Sequence, residues 1–194
     1  MPHRLLIEAL ERLAFLGEVV EKRMFGAYGF YLDGLFFAIF DPKDGRLYLR
    51  SDATMSDERE AVGSALLRPG EGEATMPYAW VPPAVLDDAR RLAAWADRAL
   101  RIARLNKEAD GSALARMRGL GKASAAMLMD AGIRTPTELR KIGPVAAYRA
   151  VEQLGHAPSR NLLWAMEGAL TGKMWNRLPA ERKAELEAEL DAAR

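Results

Sequence analysis

The chemistry on offer in this chain is carried by backbone groups and cations rather than by catalytic side chains. Arg118-Gly119-Leu120-Gly121-Lys122 sets two glycines around one apolar residue, with a cation at each end. Glycines at this spacing permit positive φ and let the backbone come close to a surface. Apolar residues from Leu114 to Ile133 fall at helical spacing on both sides, which predicts helix, tight turn, helix. A helix starting at Lys122 presents free amides and the positive end of its dipole, with an ammonium in its first turn. That combination suits one backbone phosphate. Gly121 is expected to need positive φ, so that Gly121→Val would damage the turn. Gly132 is placed to end the second helix in the left-handed conformation.

A helix-turn-helix of this kind resembles the helix-hairpin-helix motif, which grips nucleic-acid backbone without reading its sequence. The competing reading is a helical hairpin whose glycines only allow close packing, as in modules that bind other proteins. Leu139-Arg-Lys-Ile-Gly-Pro144 has the layout of a second, degenerate hairpin, with Pro144 at the next helix's first turn. The candidate nucleic-acid contacts are therefore Arg118, Gly119, Leu120, Gly121 and Lys122, joined by Lys141 and Gly143.

Catalysis has little to build on. Of the two histidines, His3 sits at the terminus and His156 beside a loop proline. Neither has a carboxylate or a second His at metal-ligand spacing, so both read as solvated. The pairs Glu8/Glu11 and Asp87/Asp88 read as wet helix faces. Ser51, Ser56 and Ser124 lack the Gly-x-Ser-x-Gly setting of a nucleophile elbow. Gly26 and Gly29 are followed by a strand pattern without Lys-Ser/Thr, which argues against a phosphate loop. Glycosylases with a Gly-x-Gly hairpin need a catalytic Asp beyond it, and Asp130 falls at a helix end instead. The absence of cysteine removes disulfides, thiolate nucleophiles and cysteine-bound metals. The expectation is a non-enzyme with no cofactor and no metal.

Charge is distributed unevenly. The 194 residues carry a formal net charge of +1, but residues 1–105 hold 14 basic and 16 acidic groups while 106–178 hold 11 basic and 6 acidic. A moderately basic C-terminal half suits nucleic acid without requiring it. No apolar run approaches the ~20 residues that span a bilayer, and the N-terminus lacks the apolar core and cleavage site of a signal peptide. A cytoplasmic location with no membrane partner is expected.

The elements that must position the hairpin read as an α+β fold. A helix is predicted from residue 3 to about Gly17, followed by a three-strand antiparallel meander: Tyr28–Leu32, Leu35–Phe40 and Arg46–Arg50. Asp33-Gly34 is the turn between the first two, and the alternation in the third predicts one face in water. A short helix is expected at 56–67 and a further strand near 75–81. Pro82-Pro83 then opens one long helix to about Leu105. Its Arg90, Arg101 and Arg104 share part of a face that Asp87, Asp88 and Asp97 dilute, so it reads as solvated or partner-docking. Residues 106–112 read as a linker and 113–194 as an all-helical domain, with a Thr135/Glu138 capping box. Trp164 and Trp175 are expected to be mostly buried. The aromatics Phe30, Tyr31, Phe36, Phe37, Phe40 and Tyr48 could stack bases, but without a basic cluster among them they read as packing.

At larger scale the chain resembles the TfoX/Sxy family. Met24-Phe-Gly-Ala-Tyr-Gly-Phe30, Asp33-Gly-Leu-Phe-Phe-Ala38, Arg46-Leu-Tyr-Leu49 and Met76-Pro-Tyr-Ala-Trp-Val-Pro82 are similar to its N-terminal domain. Arg118-Gly-Leu-Gly-Lys122, Ala131-Gly-Ile-Arg-Thr135, Leu139–Pro144 and Leu163–Trp175 are similar to its C-terminal domain. The entry to the hairpin departs from the Pro-Asn-Ile-Gly type frequent in the family, and Arg118 adds charge there. The resemblance implies a bacterial coactivator that switches on competence (DNA-uptake) genes together with the cyclic-AMP receptor protein or the transcription machinery. Base readout needs side chains delivered into a groove, and no helix here has that character. Contact with duplex DNA is thus expected to be weak, salt-sensitive and indifferent to sequence. The alternatives are a non-specific DNA-binding or repair-associated module, and a protein-interaction or oligomerisation module.

Overall fold

The structure, a computed structural model, describes residues 2–70 and 72–192; the side chain of His3 lies outside the described residues. The chain divides into two compact units, Met1–Arg104 and Leu105–Arg194.

The first unit is α+β. Helix α1 (Pro2–Leu13) buries Leu6, Ala9 and Leu13. Five strands then form an antiparallel meander in chain order: β1 (Val20–Met24), β2 (Ala27–Leu32), β3 (Leu35–Asp41), β4 (Arg46–Arg50) and β5 (Tyr78–Trp80). Strand β1 was not expected. It shows no apolar alternation because it is an edge strand whose Glu21, Lys22 and Arg23 face water. Its turn carries the missed signal: Phe25 (φ +48) and Gly26 (φ +83) are both left-handed, as are Asp33 (φ +50) and Gly34 (φ +72) in the next turn. Two-residue turns of this kind match the twist of paired strands.

One sheet face packs Phe30, Phe37, Phe40, Leu47 and Leu49 against α1 and the later helices. The other face, expected to be wet along β4, is covered. Leu67 and Met76 fold back over Ile39, Tyr48 and Tyr78, because helix α2 (Ser56–Ala61) ends six residues short of the expected 67 and the chain turns at Gly63 (φ +66). Burial pushes the Tyr78 phenol up to about 12, and burial together with the Asp44 hydrogen bond raises that of Tyr48. Tyr31 and Phe36 stack on one another at 5.0 Å.

The expected long helix is interrupted. Helix α3 (Pro83–Leu86) stops, and α4 (Ala89–Ala109) starts afresh. The Asp88 carboxylate accepts the backbone N–H of Arg90 at 3.0 Å and of Arg91 at 3.1 Å, which is an N-cap arrangement. Arg12 ties the break down by donating to the Leu86 carbonyl and pairing with Asp87, both at 2.9 Å. Asp87 and Asp88 are therefore a helix boundary rather than a wet helix face.

The second unit is all-helical. Residues 106–109, read as the start of a linker, are the last turn of α4, and the chain breaks only at Gly111 (φ +69). The helix expected before Gly119 is absent. Residues 113–117 form turns, with Met117 N–H donating to the Leu114 carbonyl at 3.0 Å. Left-handed Gly111 (φ +69) and Gly119 (φ +85) bound this stretch, and the Ser112 hydroxyl accepts the Ala115 N–H at 3.1 Å within it, a local bond that favours a turn. Helices α5 (Lys122–Asp130), α6 (Pro136–Ile142), α7 (Pro144–Gln153), α8 (Arg160–Thr171) and α9 (Ala180–Ala192) follow, with a 3-10 turn at Trp175–Arg177. They enclose Leu114, Leu128, Leu139, Val151, Leu163, Met166 and Leu186. Trp164 and Trp175 are partly buried, packed against this core. They stack with centroids 6.2 Å apart beneath the Lys183 ammonium, which lies 4.9 and 5.4 Å from the two rings.

Candidate nucleic-acid interface

The turn before α5 is built by one glycine, not two. Gly119 has φ +85, whereas Gly121 is extended at φ −111, ψ −180 with open space where a Cβ would project. The expectation that Gly121 needs positive φ is corrected; that requirement belongs to Gly119. Between them, Leu120 is buried among the core side chains of the unit. Its side chain anchors the turn to that core. Its N–H donates to the Met117 carbonyl at 3.1 Å.

Gly121 is the N-cap of α5, and its carbonyl accepts the Ala125 N–H at 2.9 Å. No side chain caps this end. The first-turn amides of Lys122, Ala123 and Ser124 are left to solvent at the positive end of the helix dipole. Lys122 is exposed and pairs with Asp110 at 3.1 Å. Exposed pairs of this type are worth roughly 0–1 kcal/mol, so an arriving phosphate can take the lysine over. Arg118 is also exposed and reaches the Gly172 carbonyl at 3.4 Å.

The far end of α5 is held firmly. Ile133 N–H donates to the Leu128 carbonyl at 2.9 Å and Gly132 N–H to that of Met129 at 3.0 Å, with Gly132 at φ +80. This pair of bonds is a Schellman end. Asp130, in the last position of the helix, lies 2.9 Å from Nε2 of His156, and both side chains are about 95% buried (6% and 5% exposed). His156 is thus not a solvated residue. It ties the segment after α7 to α5, and Tyr148 reinforces that segment by donating to the Pro158 carbonyl at 2.7 Å. The sequence gives no local sign of the pair, whose members are 26 residues apart. Among the described residues no cluster of three His, Cys, Asp or Glu could hold a metal.

Lys141 and Gly143 lie at a separate turn. Gly143 (φ +80) is at once the end of α6 and the N-cap of α7, and Pro144 occupies the first position of α7. Proline removes one of the amides that an anion would use, and Ile142 is exposed where Leu120 is buried. Lys141 stands in the last turn of α6, where the dipole favours a cation. Among the described residues no hydrogen bond or ion pair links this turn to Arg118–Lys122. Arg118–Lys122 thus form one turn, and Lys141 and Gly143 belong to another, between α6 and α7.

No helix among the described residues is long and apolar enough to cross a membrane. A comparison with curated proteins finds no match. Among solved structures, an uncharacterized protein from Listeria monocytogenes in a triclinic crystal form is 30% identical, over 41% of this chain and 91% of its own, with a TM-score of 0.39. A protein of unknown function from Listeria monocytogenes in a tetragonal form is also 30% identical, over 42% of this chain and all of its own, with the same TM-score. Scores this low carry no weight for the fold of the whole chain. The domain families are decisive: the TfoX N-terminal domain matches residues 11–103 and the TfoX C-terminal domain matches 111–190. The chain belongs to the TfoX family, with both of its domains present in order.

Proposed function

We propose that this protein is a non-enzymatic, cytoplasmic regulator of the TfoX/Sxy type, a coactivator of DNA-uptake genes. It acts through a protein partner, of which the cyclic-AMP receptor protein is the family example, and adds a weak grip on the DNA backbone. Membership of a family not known for enzymes supports the first part. The observation that carries the DNA contact is the open first turn of α5, uncapped and flanked by Arg118 and Lys122. Main-chain amides and two flexible cations recognise phosphate and carry no base readout, so specificity has to come from the partner. The expected division of labour is a sequence-indifferent hold by this protein and sequence choice by its partner.

The test is a fluorescence-anisotropy titration of duplex DNA with full-length protein and Lys122→Ala at two salt concentrations. Binding should weaken as salt rises, with a slope of about −0.9 in log-log form per phosphate neutralised. Lys122→Ala should reduce that slope by about 1, with equal effect on unrelated sequences. Absence of binding at low salt would instead make the helical unit a protein-interaction module.

A further inference from the structure

Beside the hairpin, Arg118 forms one wall of an open depression of about 280 Å³. The other walls are Gly172, Lys173, Met174, Asn176 and Arg177, which follow α8. Arg118, Lys173 and Arg177 are exposed, and among the described residues none of the three has a carboxylate partner. Some other cations of the same unit are matched: Arg134 with Glu108 at 3.0 Å, Arg160 with Asp191 at 3.3 Å, Arg182 with Glu167 at 2.9 Å. Three unmatched cations around one concavity repel each other, and a bound anion relieves that repulsion.

The depression is also built rather than fortuitous. A Cβ on Gly168 would stand 2.6 Å from the Lys173 carbonyl oxygen and 3.2 Å from the Trp175 nitrogen, so the 173–175 backbone lies directly on α8. Gly172 turns the chain there at φ +73, and Lys173 N–H donates to the Gly168 carbonyl at 2.8 Å. The Trp164–Trp175 stack under Lys183 holds the segment from the other side. The two guanidinium forks, one ammonium and the Asn176 amide are thus carried on a braced backbone.

We infer that this depression is a second phosphate site, taking a phosphate of the same nucleic-acid backbone that meets the α5 hairpin. The inference rests on the proposed hairpin contact. What ties the two together is position: Arg118 belongs to both, and the Cβ position of Gly119 is 3.9 Å from the Met174 sulfur. Two guanidinium groups favour planar, bidentate contact with phosphate oxygens, and the open mouth admits a phosphate that remains part of a chain.

The deciding experiment compares wild type, Lys122→Ala and the double variant Lys173→Ala/Arg177→Ala in duplex-DNA titrations over a range of salt, with thermal melts alongside. Both substituted side chains of the double variant are exposed, so its melting temperature should match wild type. Its DNA affinity should fall about tenfold or more, and its salt slope should become shallower by about 1, the share of one phosphate. A double variant that binds like wild type while Lys122→Ala is weakened overturns this inference alone. Wild type that fails to bind DNA at low salt overturns the hairpin contact and this inference with it. Inorganic phosphate titrated against chloride at matched ionic strength forms the last arm. Saturable phosphate binding lost in the double variant, with DNA affinity unchanged, would assign the depression to free phosphate and overturn the inference.

Discussion

Helices α5 and α6 follow one another in the chain and begin in opposite ways. The start of α6 is closed: Thr135 Oγ1 accepts the Glu138 N–H at 3.2 Å, and the Glu138 carboxylate accepts the N–H groups of Arg134 and Thr135 at 2.7 and 3.0 Å. Those backbone donors hold the Glu138 carboxyl below its ordinary value of 4.5. This helix already carries its anion. The start of α5 has a glycine for an N-cap, no carboxylate on its amides, and a lysine in first position. Two helices with the same backbone need can thus satisfy it from within or leave it to a ligand. Only the second choice is of use for binding, at the cost of the capping stability the first provides.

The comparison can be broken from the far end of α5, where the largest effect on stability is expected. His156→Ala leaves the buried Asp130 carboxylate without its 2.9 Å partner, which should cost about 1–3 kcal/mol in urea unfolding. A midpoint equal to wild type would show that the pair does not hold α5 in place. Next comes conversion of the open helix into a closed one. Gly121 has N-cap geometry and room for a side chain, so Gly121→Asp should add about 0.3–1 kcal/mol of stability. The same change should weaken DNA binding about tenfold, roughly 1.4 kcal/mol; a variant binding as tightly as wild type would remove the amides of α5 from the interface. The converse substitution, Thr135→Ala, should lower stability by about 1 kcal/mol and leave the DNA titration unchanged.

The smallest effect is one of pH. Because the folded carboxyl of Glu138 titrates below its unfolded value, its contribution is present above about pH 4.5 and is lost as pH falls through the lower folded value. The stability gap between wild type and Glu138→Gln should accordingly be widest near neutrality and close on acidification, measured by melts across that range.

Some of this was legible in the residues. The Thr135/Glu138 box, the Gly132 end of α5 and the Asp33-Gly34 hairpin are local patterns, in which the atoms that interact lie within a few residues of each other. Helix α8 (Arg160–Thr171) is bounded by the same kind of local signal, with Pro158 before it and left-handed Gly172 after it. Strand β1 was missed because an exposed edge strand has no need of apolar alternation. Gly121 was misjudged for a different reason. A Gly-x-Gly pair says that unusual backbone is needed, but the φ of each residue depends on where buried Leu120 pins the loop between them.

Composition, periodicity and capping residues therefore determined an α+β half followed by a helical half, and placed a helix start without a side-chain cap at Lys122. They could do so because helix starts, hairpin turns and dipole ends are set by short-range sterics and hydrogen bonds. The tertiary structure alone decided that His156 meets Asp130 and that the second sheet face is covered. It also decided that Lys173 and Arg177 gather beside Arg118. Each of these joins residues tens of positions apart, and only the packing of the helices and the sheet brings them together.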